Sequence, residues 1–404
     1  MAVLQTPSAA FDEWLPELTR QLAESADAHD RSGDFPHANL ALLRHHGLLA
    51  LALPPALGGP GASLGELRRV IGAVARGEPS TALVLCMQYL HLRRLADNPD
   101  WPGALKRRVA REVLEQGALI NSLRVEPELG SPSRGGLPDT LARRVGDGWQ
   151  LSGHKLYTTG IPGLTWLAVW ARSDEPIPRV GTWLVRRDSP GIRIVESWDH
   201  LGMRASGSHE VLFEEVAVPL ENAIGLHPHD QPPAPDQAVL RDFAQASAVL
   251  LGALYDGIAG SAREWLVGWL RERVPASLGA PLASLPRMQE ALGGIDGLLL
   301  QNRLLLDAAC CGQLPASDSG LLKVAVIDNA LAVVEKALEL SGNHGLSRHN
   351  PLQRHYRDVL CGRVHTPQKD SVWSAAGEGG AESLKRTSHD SRPWPCRRPH
   401  RRNG

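Results

Sequence analysis

Apolar residues recur at helical spacing along the first third of the chain. Leu64, Leu67, Val70, Ile71 and Val74 fall on one face of a segment that Ser63 can cap. Ser80 and Thr81 open a more apolar helix through Val84, Leu85 and Leu90, and Pro54-Pro55 and the Gly58-Gly59-Pro60-Gly61 run break the pattern between elements. From about Gly117 the period shortens. β-type runs appear at 119–120, 166–170, 182–185, 192–195 and 211–218, with Gly146-Asp147-Gly148 as a tight hairpin signal. The pattern predicts a small antiparallel β-domain ending near Pro232-Pro233-Ala234-Pro235. Helical spacing then returns over 248–270 and 288–306. A third helix, capped at Ser317-Asp318-Ser319, carries a stripe of Val324, Ile327, Leu331, Val334 and Leu338. The chain therefore divides into an N-terminal helical domain (1–117), a middle β-domain (118–235), a C-terminal helical bundle (236–378) and a basic tail (379–404) expected to be disordered.

Composition changes this picture little. At 404 residues the chain has room for two or three packed modules, and 43 Lys and Arg against 44 Asp and Glu give a net charge of −1. That balance signals neither nucleic acid nor anionic membrane as a partner. Cys86, Cys310, Cys311, Cys361 and Cys396 show no metal-type spacing, and their odd number argues against a disulfide framework. Residues 1–20, with Asp12, Glu13 and Glu17, do not read as a signal peptide, and no stretch reads as long and apolar enough to cross a bilayer. A cytoplasmic location is expected. His45-His46 and the pair His227 and His229 lack a third ligand and read as surface, so no metal site is expected.

Candidate chemistry lies in four segments. They are 121–131 (Asn-Ser-Leu-Arg-Val-Glu-Pro-Glu-Leu-Gly-Ser), 148–160, 198–219, and 340–345 leading to the Arg-His-Tyr-Arg-Asp run at 354–358. The first two can form a ledge for a planar ring, with Tyr157 offering an aromatic face and Thr159 a hydroxyl near a flavin N5. Gly342 and Gly345 can let backbone amides approach a pyrophosphate, and Met203-Arg204 shapes a turn that can bring Arg204 near a phosphate.

In order and spacing these segments resemble the acyl-CoA dehydrogenase family over about 35–377. The resemblance implies a mostly α fold with a central β-domain: a helical N-domain, an antiparallel, barrel-like middle domain and a C-terminal four-helix bundle. It also implies FAD bound at the subunit interface of a homodimer or homotetramer. Leu123, Val125 and Ser131 take the places of its first flavin loop, Tyr157 and Thr159 of its second, and Gln368 of a further cofactor contact. Arg273, Gly342, Asn343 and Gly345 take the places that reach a neighbouring subunit's cofactor. Glu339 and Asn343 depart from the family turn, and Pro275-Ala276 reads as an insertion, so the adenine contacts are open to rearrangement and FMN stays an alternative.

The sharpest departure is the base. A carboxylate that removes the α-proton of a thioester is expected at one of two positions, here Thr366 and Ser247, and neither hydroxyl is a base at neutral pH. Residues 357–365 align without gaps to the dibenzothiophene monooxygenase-like branch of the same fold, where His365 matches a histidine and Thr159 a hydroxyl residue. A second histidine of that branch meets Gln88, with His91 close by. The leading expectation is FAD-dependent oxidation of the α,β bond of an acyl-CoA-like small molecule, with Asp256 or His365 as base. A reduced-flavin monooxygenase is the alternative, and a flavin-binding protein with a degenerate site is the third reading.

Overall fold

The computed structural model describes residues 11–130, 136–234 and 236–388. Ser131 and residues 389–404, which include Cys396, lie outside the described residues. Five helices open the chain: α1 (Phe11–Ser32), α2 (His37–His45), α3 (Leu64–Gly77), α4 (Pro79–Asp97) and α5 (Gly103–Gln116). Ser63 caps α3 as expected. Its hydroxyl accepts from the Glu66 N–H while the Glu66 carboxylate accepts from the Ser63 N–H, a reciprocal capping box. Helix α4 begins differently from the sequence expectation. Glu78 caps it, accepting from the N–H groups of Ser80 and Thr81, and Pro79 occupies the first turn, where no donor is needed.

Eight strands follow: β1 (Leu119–Leu123), β2 (Leu141–Val145), β3 (Gly148–Lys155), β4 (Leu164–Ser173), β5 (Arg179–Arg186), β6 (Ile192–Val195), β7 (Glu210–Pro219) and β8 (Ala223–Pro228). They form one sheet in the order β6-β7-β3-β2-β4-β5-β8, with β1 beside β4. The expected hairpin joins β2 to β3, and Gly146 takes the left-handed backbone its turn requires. The sheet is not purely antiparallel, because β1 and β2 each run parallel to β4. Under it, Lys155 and Glu126 form a fully buried ion pair at 2.5 Å, completed by Thr140 and the Trp170 carbonyl. Burial pushes Lys155 down to about 8; it would raise Glu126, but bonds from Lys155 and Thr140 hold that carboxyl below its usual value.

The chain then enters α6 (Gln237–Glu272), followed by α7 (Pro286–Cys310), α8 (Ser319–Ser341), the short α9 (Asn343–Leu346), α10 (Leu352–Leu360) and α11 (Lys369–Ser388). Helix α6 starts eleven residues before the apolar run that announces it, because Asp236 caps the polar first turns. It is long and apolar enough by composition to cross a bilayer, which corrects the sequence expectation. Its apolar window is mostly buried, however, as the central helix of this fold. It packs on α3, α4, α7, α8 and α10, and Gly257 allows close approach to α3: a Cβ there would lie 2.7 Å from the Gly72 carbonyl oxygen. Helix α11 runs ten residues into the segment expected as a tail.

Candidate active site

The two expected ring-binding loops are stitched together. The Leu156 N–H donates to the Val125 carbonyl at 3.0 Å, and the side chain of Leu123, at the end of β1, is buried. At Tyr157 the backbone adopts φ 54°, an uncommon conformation for a bulky residue, and the ring is left 54 % exposed. Beside it, Trp198 and His200 stack at 3.6 Å, and Tyr157 meets both edge-on. This aromatic group is anchored from behind. The Trp198 indole N–H donates to the Met203 carbonyl, and the Met203 N–H donates to the Asp358 carboxylate of α10 at 2.7 Å. Only glycine fits at 202, since a Cβ would lie 2.2 Å from the Arg357 carbonyl oxygen. Arg204 is committed to the Asp30 carbonyl and Asp199 rather than held open for a phosphate.

Thr159 heads a chain of hydroxyls. Its Oγ1 lies 3.0 Å from Ser208 Oγ, which lies 2.8 Å from the buried Ser206 Oγ. The Asn121 side-chain amide donates to the Thr159 carbonyl at 2.9 Å. Ser206, Ser208 and Asn121 all lie in the segments singled out from sequence. Nothing in residue type alone separated them from turn residues.

His365 is half-buried just past the short 3-10 turn (Cys361–Val364) that follows α10. Its Nε2 lies 2.7 Å from the hydroxyl of Tyr255, a fully buried α6 residue that sequence reasoning missed. Lys323 donates to the carbonyls of His365 and Pro367, pinning the turn. Burial, aided by the Lys323 ammonium, pushes His365 down to about 4, and burial holds the Tyr255 phenol well above its usual value. Thr366 is exposed and Ser247 half-buried, while the Gln368 carbonyl accepts from the Val372 N–H at the start of α11. Asp256 does not join this group. Its carboxylate points at α7, accepts from Asn302 at 2.9 Å and lines a separate cleft of about 400 Å³ with Arg68, Arg76 and Arg303. It is therefore removed as a candidate base: consecutive residues on a helix face different ways, and Tyr255 takes the site-facing position.

Helix α4 ties the Thr159 and His365 groups together. Val84 packs against Gly160, and Cys86 lies close enough to Tyr255 to help raise its phenol. Gln88 is structural: its amide donates to the Leu49 and Ala118 carbonyls, and its oxygen accepts from the Ile120 N–H. His91 Nε2 accepts from the Ser122 N–H at 3.1 Å.

Arg273 and the Gly342–Gly345 turn sit elsewhere. The Arg273 N–H donates to the carbonyl of Trp269, whose ring meets His344 at 5.5 Å, so the α6 and α8 ends share one corner. Gly342 has open space around it, whereas Asn343 begins α9 and Gly345 is packed against Ser341, Leu338 and Leu352. Trp269 is fourteen residues beyond Tyr255, or about 21 Å along α6.

Two helical domains flank a β-domain that carries an open aromatic edge beside a backed hydroxyl, the arrangement of the flavoprotein oxidoreductases whose family descriptions the chain matches. Family descriptions of the acyl-CoA dehydrogenase N-terminal, middle and C-terminal domains match residues 13–93, 125–216 and 249–369. The chain is 32% identical over 370 residues to the putative acyl-CoA dehydrogenase YdbM of Bacillus subtilis, covering 89% of this chain and 94% of that one. It is 31% identical over 372 residues to L-evernosamine nitrososynthase of Micromonospora, covering 87% and 84%. Among solved structures, KijD3 in complex with FMN and a dTDP-amino-keto sugar superposes with TM-score 0.79 at 27% identity, covering 93% and 94%. Butyryl-CoA dehydrogenase from Megasphaera elsdenii shares the fold at TM-score 0.80 and 20% identity, covering 92% and 97%. The chain belongs to the acyl-CoA dehydrogenase family.

Proposed function

We propose that the protein is a reduced-flavin monooxygenase on the acyl-CoA dehydrogenase scaffold. The observation that carries this reading is the His365–Tyr255 pair, with Thr366 and Ser247 in the two places a carboxylate base would occupy. Tyr255 keeps its proton and the His365 ring is neutral; we take the phenol as the donor to Nε2, which leaves the ring hydrogen on Nδ1. A ring whose lone pair is already bonded, and whose pKa lies near 4, is a poor acceptor for an α-proton. Its Nδ1–H is instead a fixed donor. The buried carboxylate of Asp358 is spent on the Met203 N–H.

An isoalloxazine fits the groups present. Tyr157 offers an aromatic edge, and Thr159 offers a hydroxyl that can accept from Ser208 and donate outward. Leu123, Val125 and the turn at Gln368 would complete the cradle expected from the sequence. A bound reduced flavin supplies the two electrons with which O2 leaves one oxygen atom on substrate and one in water. The nitrososynthase relatives, and the FMN named in the KijD3 complex, support this reading. A second reading, acyl-CoA oxidation with FAD, is favoured by the relative named as a putative acyl-CoA dehydrogenase, and chromatography of the extracted flavin distinguishes FAD from FMN.

The deciding experiment supplies reduced flavin and O2 and measures hydrogen peroxide. The protein is expected to suppress peroxide release, and His365→Ala to raise it about tenfold with flavin affinity near normal, a loss of about 1.4 kcal/mol at the step it assists. Anaerobic bleaching of the bound flavin by any of a panel of acyl-CoAs would overturn the proposal in favour of the second reading.

A further inference from the structure

Two arginines near the Thr159 group have no partner of opposite charge among the described residues. Arg94 lies one turn beyond His91 on α4, and Arg124 follows β1. The Arg124 guanidinium lies 5.0 Å from the Trp170 ring, and that of Arg94 lies 5.7 Å from the Phe243 ring. Among the described residues neither meets a carboxylate. Two nearby acids are taken: Asp242, next to Phe243, by Arg93 through two bonds of 2.8 and 2.9 Å, and Glu126, two residues beyond Arg124, by Lys155. Arg124 Nε is buried without a hydrogen-bond partner. The Arg94 side chain is exposed, although the protein around it lowers its pKa.

The two cations sense each other. Burial, then Arg94, pushes Arg124 down to about 10, and burial with both arginines pushes His91 down to about 3. Uncompensated, partly desolvated like charges cost stability, and an anion bound beside them relieves that cost. Contact with an aromatic ring orients a guanidinium while leaving its donor edge open, a geometry that suits carboxylate or phosphate oxygens. The pair also adjoins the site: His91 holds the N–H of Ser122, and the neighbouring Asn121 holds the Thr159 carbonyl.

We infer that Arg94 and Arg124 bind an anionic group of the substrate, a carboxylate or a phosphate, beside Thr159. The inference rests on the reading that substrate meets flavin at Thr159, and it assigns this enzyme acidic substrates.

The test is calorimetric titration of the flavin-loaded protein with glutarate, inorganic phosphate and butyrate. Glutarate or phosphate is expected to bind at least tenfold more tightly than butyrate, and whichever binds better names the anion. Arg94→Met should weaken that binding at least tenfold while Arg94→Lys retains most of it. Arg94 is the first choice because its side chain is exposed, so its loss should spare the fold; Arg124→Met, checked by its melting temperature, repeats the test at the buried position. Equal affinity for butyrate, or undiminished anion binding in Arg94→Met, would overturn the inference. No turnover is needed, so failure of the monooxygenase assay leaves this result intact, and a working monooxygenase with normal anion binding in Arg94→Met sinks only the anion pocket.

Discussion

Asp358 sits in an environment at odds with its chemistry. Its carboxyl is buried, and burial, only partly opposed by the Met203 N–H, raises it from 3.8 to about 7. The folded chain therefore holds a proton there that the unfolded chain has released, and this contribution is full below about 4 and fades as pH rises through 7. Asp358→Asn keeps an acceptor for Met203 and removes the titration. Its unfolding free energy in urea, relative to the parent, should rise between pH 5 and pH 8 by on the order of 1–3 kcal/mol. A pH-independent difference between the two would show that Asp358 does not titrate in this window. His91, His355 and His365 act with the opposite sign. Burial depresses each of them, so they favour folding above about 6.5 and lose that contribution as pH falls. Thr159, Tyr157 and His365 could be proposed from the sequence because they stand in ordered, spaced segments. Tyr255, Ser208 and Asp358 owe their roles to contacts across 49 to 155 residues, and no local pattern announces such contacts.

Elements whose signals are local read correctly. The α3 start is spelled by Ser63 and Glu66, and the β2–β3 hairpin by Gly146-Asp147-Gly148. The parallel pairing of β1 and β2 with β4 did not read, because alternation fixes which face a strand buries and says nothing of its neighbour. The loop from Trp198 to Arg204 falls between these cases. Its Gly202 carries no local signal, yet it is the point where the loop of the aromatic group docks on α10. Gly202→Ala should push this loop off the helix, costing about 1–3 kcal/mol by overpacking and raising the accessibility of Trp198. Urea unfolding followed by indole fluorescence checks both, and an unshifted midpoint with unchanged emission would show that the loop yields freely.

For the whole molecule, the order helices, sheet, helices was legible, and its closure around α6 was not. The Arg273–Gly342 corner lies far from Thr159 within one chain, and we propose that a second copy brings that corner to the cofactor. Dilution below the assembly point should then release flavin, and Arg273→Ala should shift that release to higher protein concentration, roughly tenfold. Flavin retention by a monomer in sedimentation would remove the proposal. Helix α6 also has a consequence in time. The apolar faces of α3 and α4 are covered by a helix that is translated roughly 120 residues after α5, which at about 5–20 residues per second means on the order of ten seconds on the ribosome. Throughout that interval the nascent N-terminal helices carry a sticky, unfinished surface. Newly made chain should therefore depend on holding chaperones far more than the finished protein does.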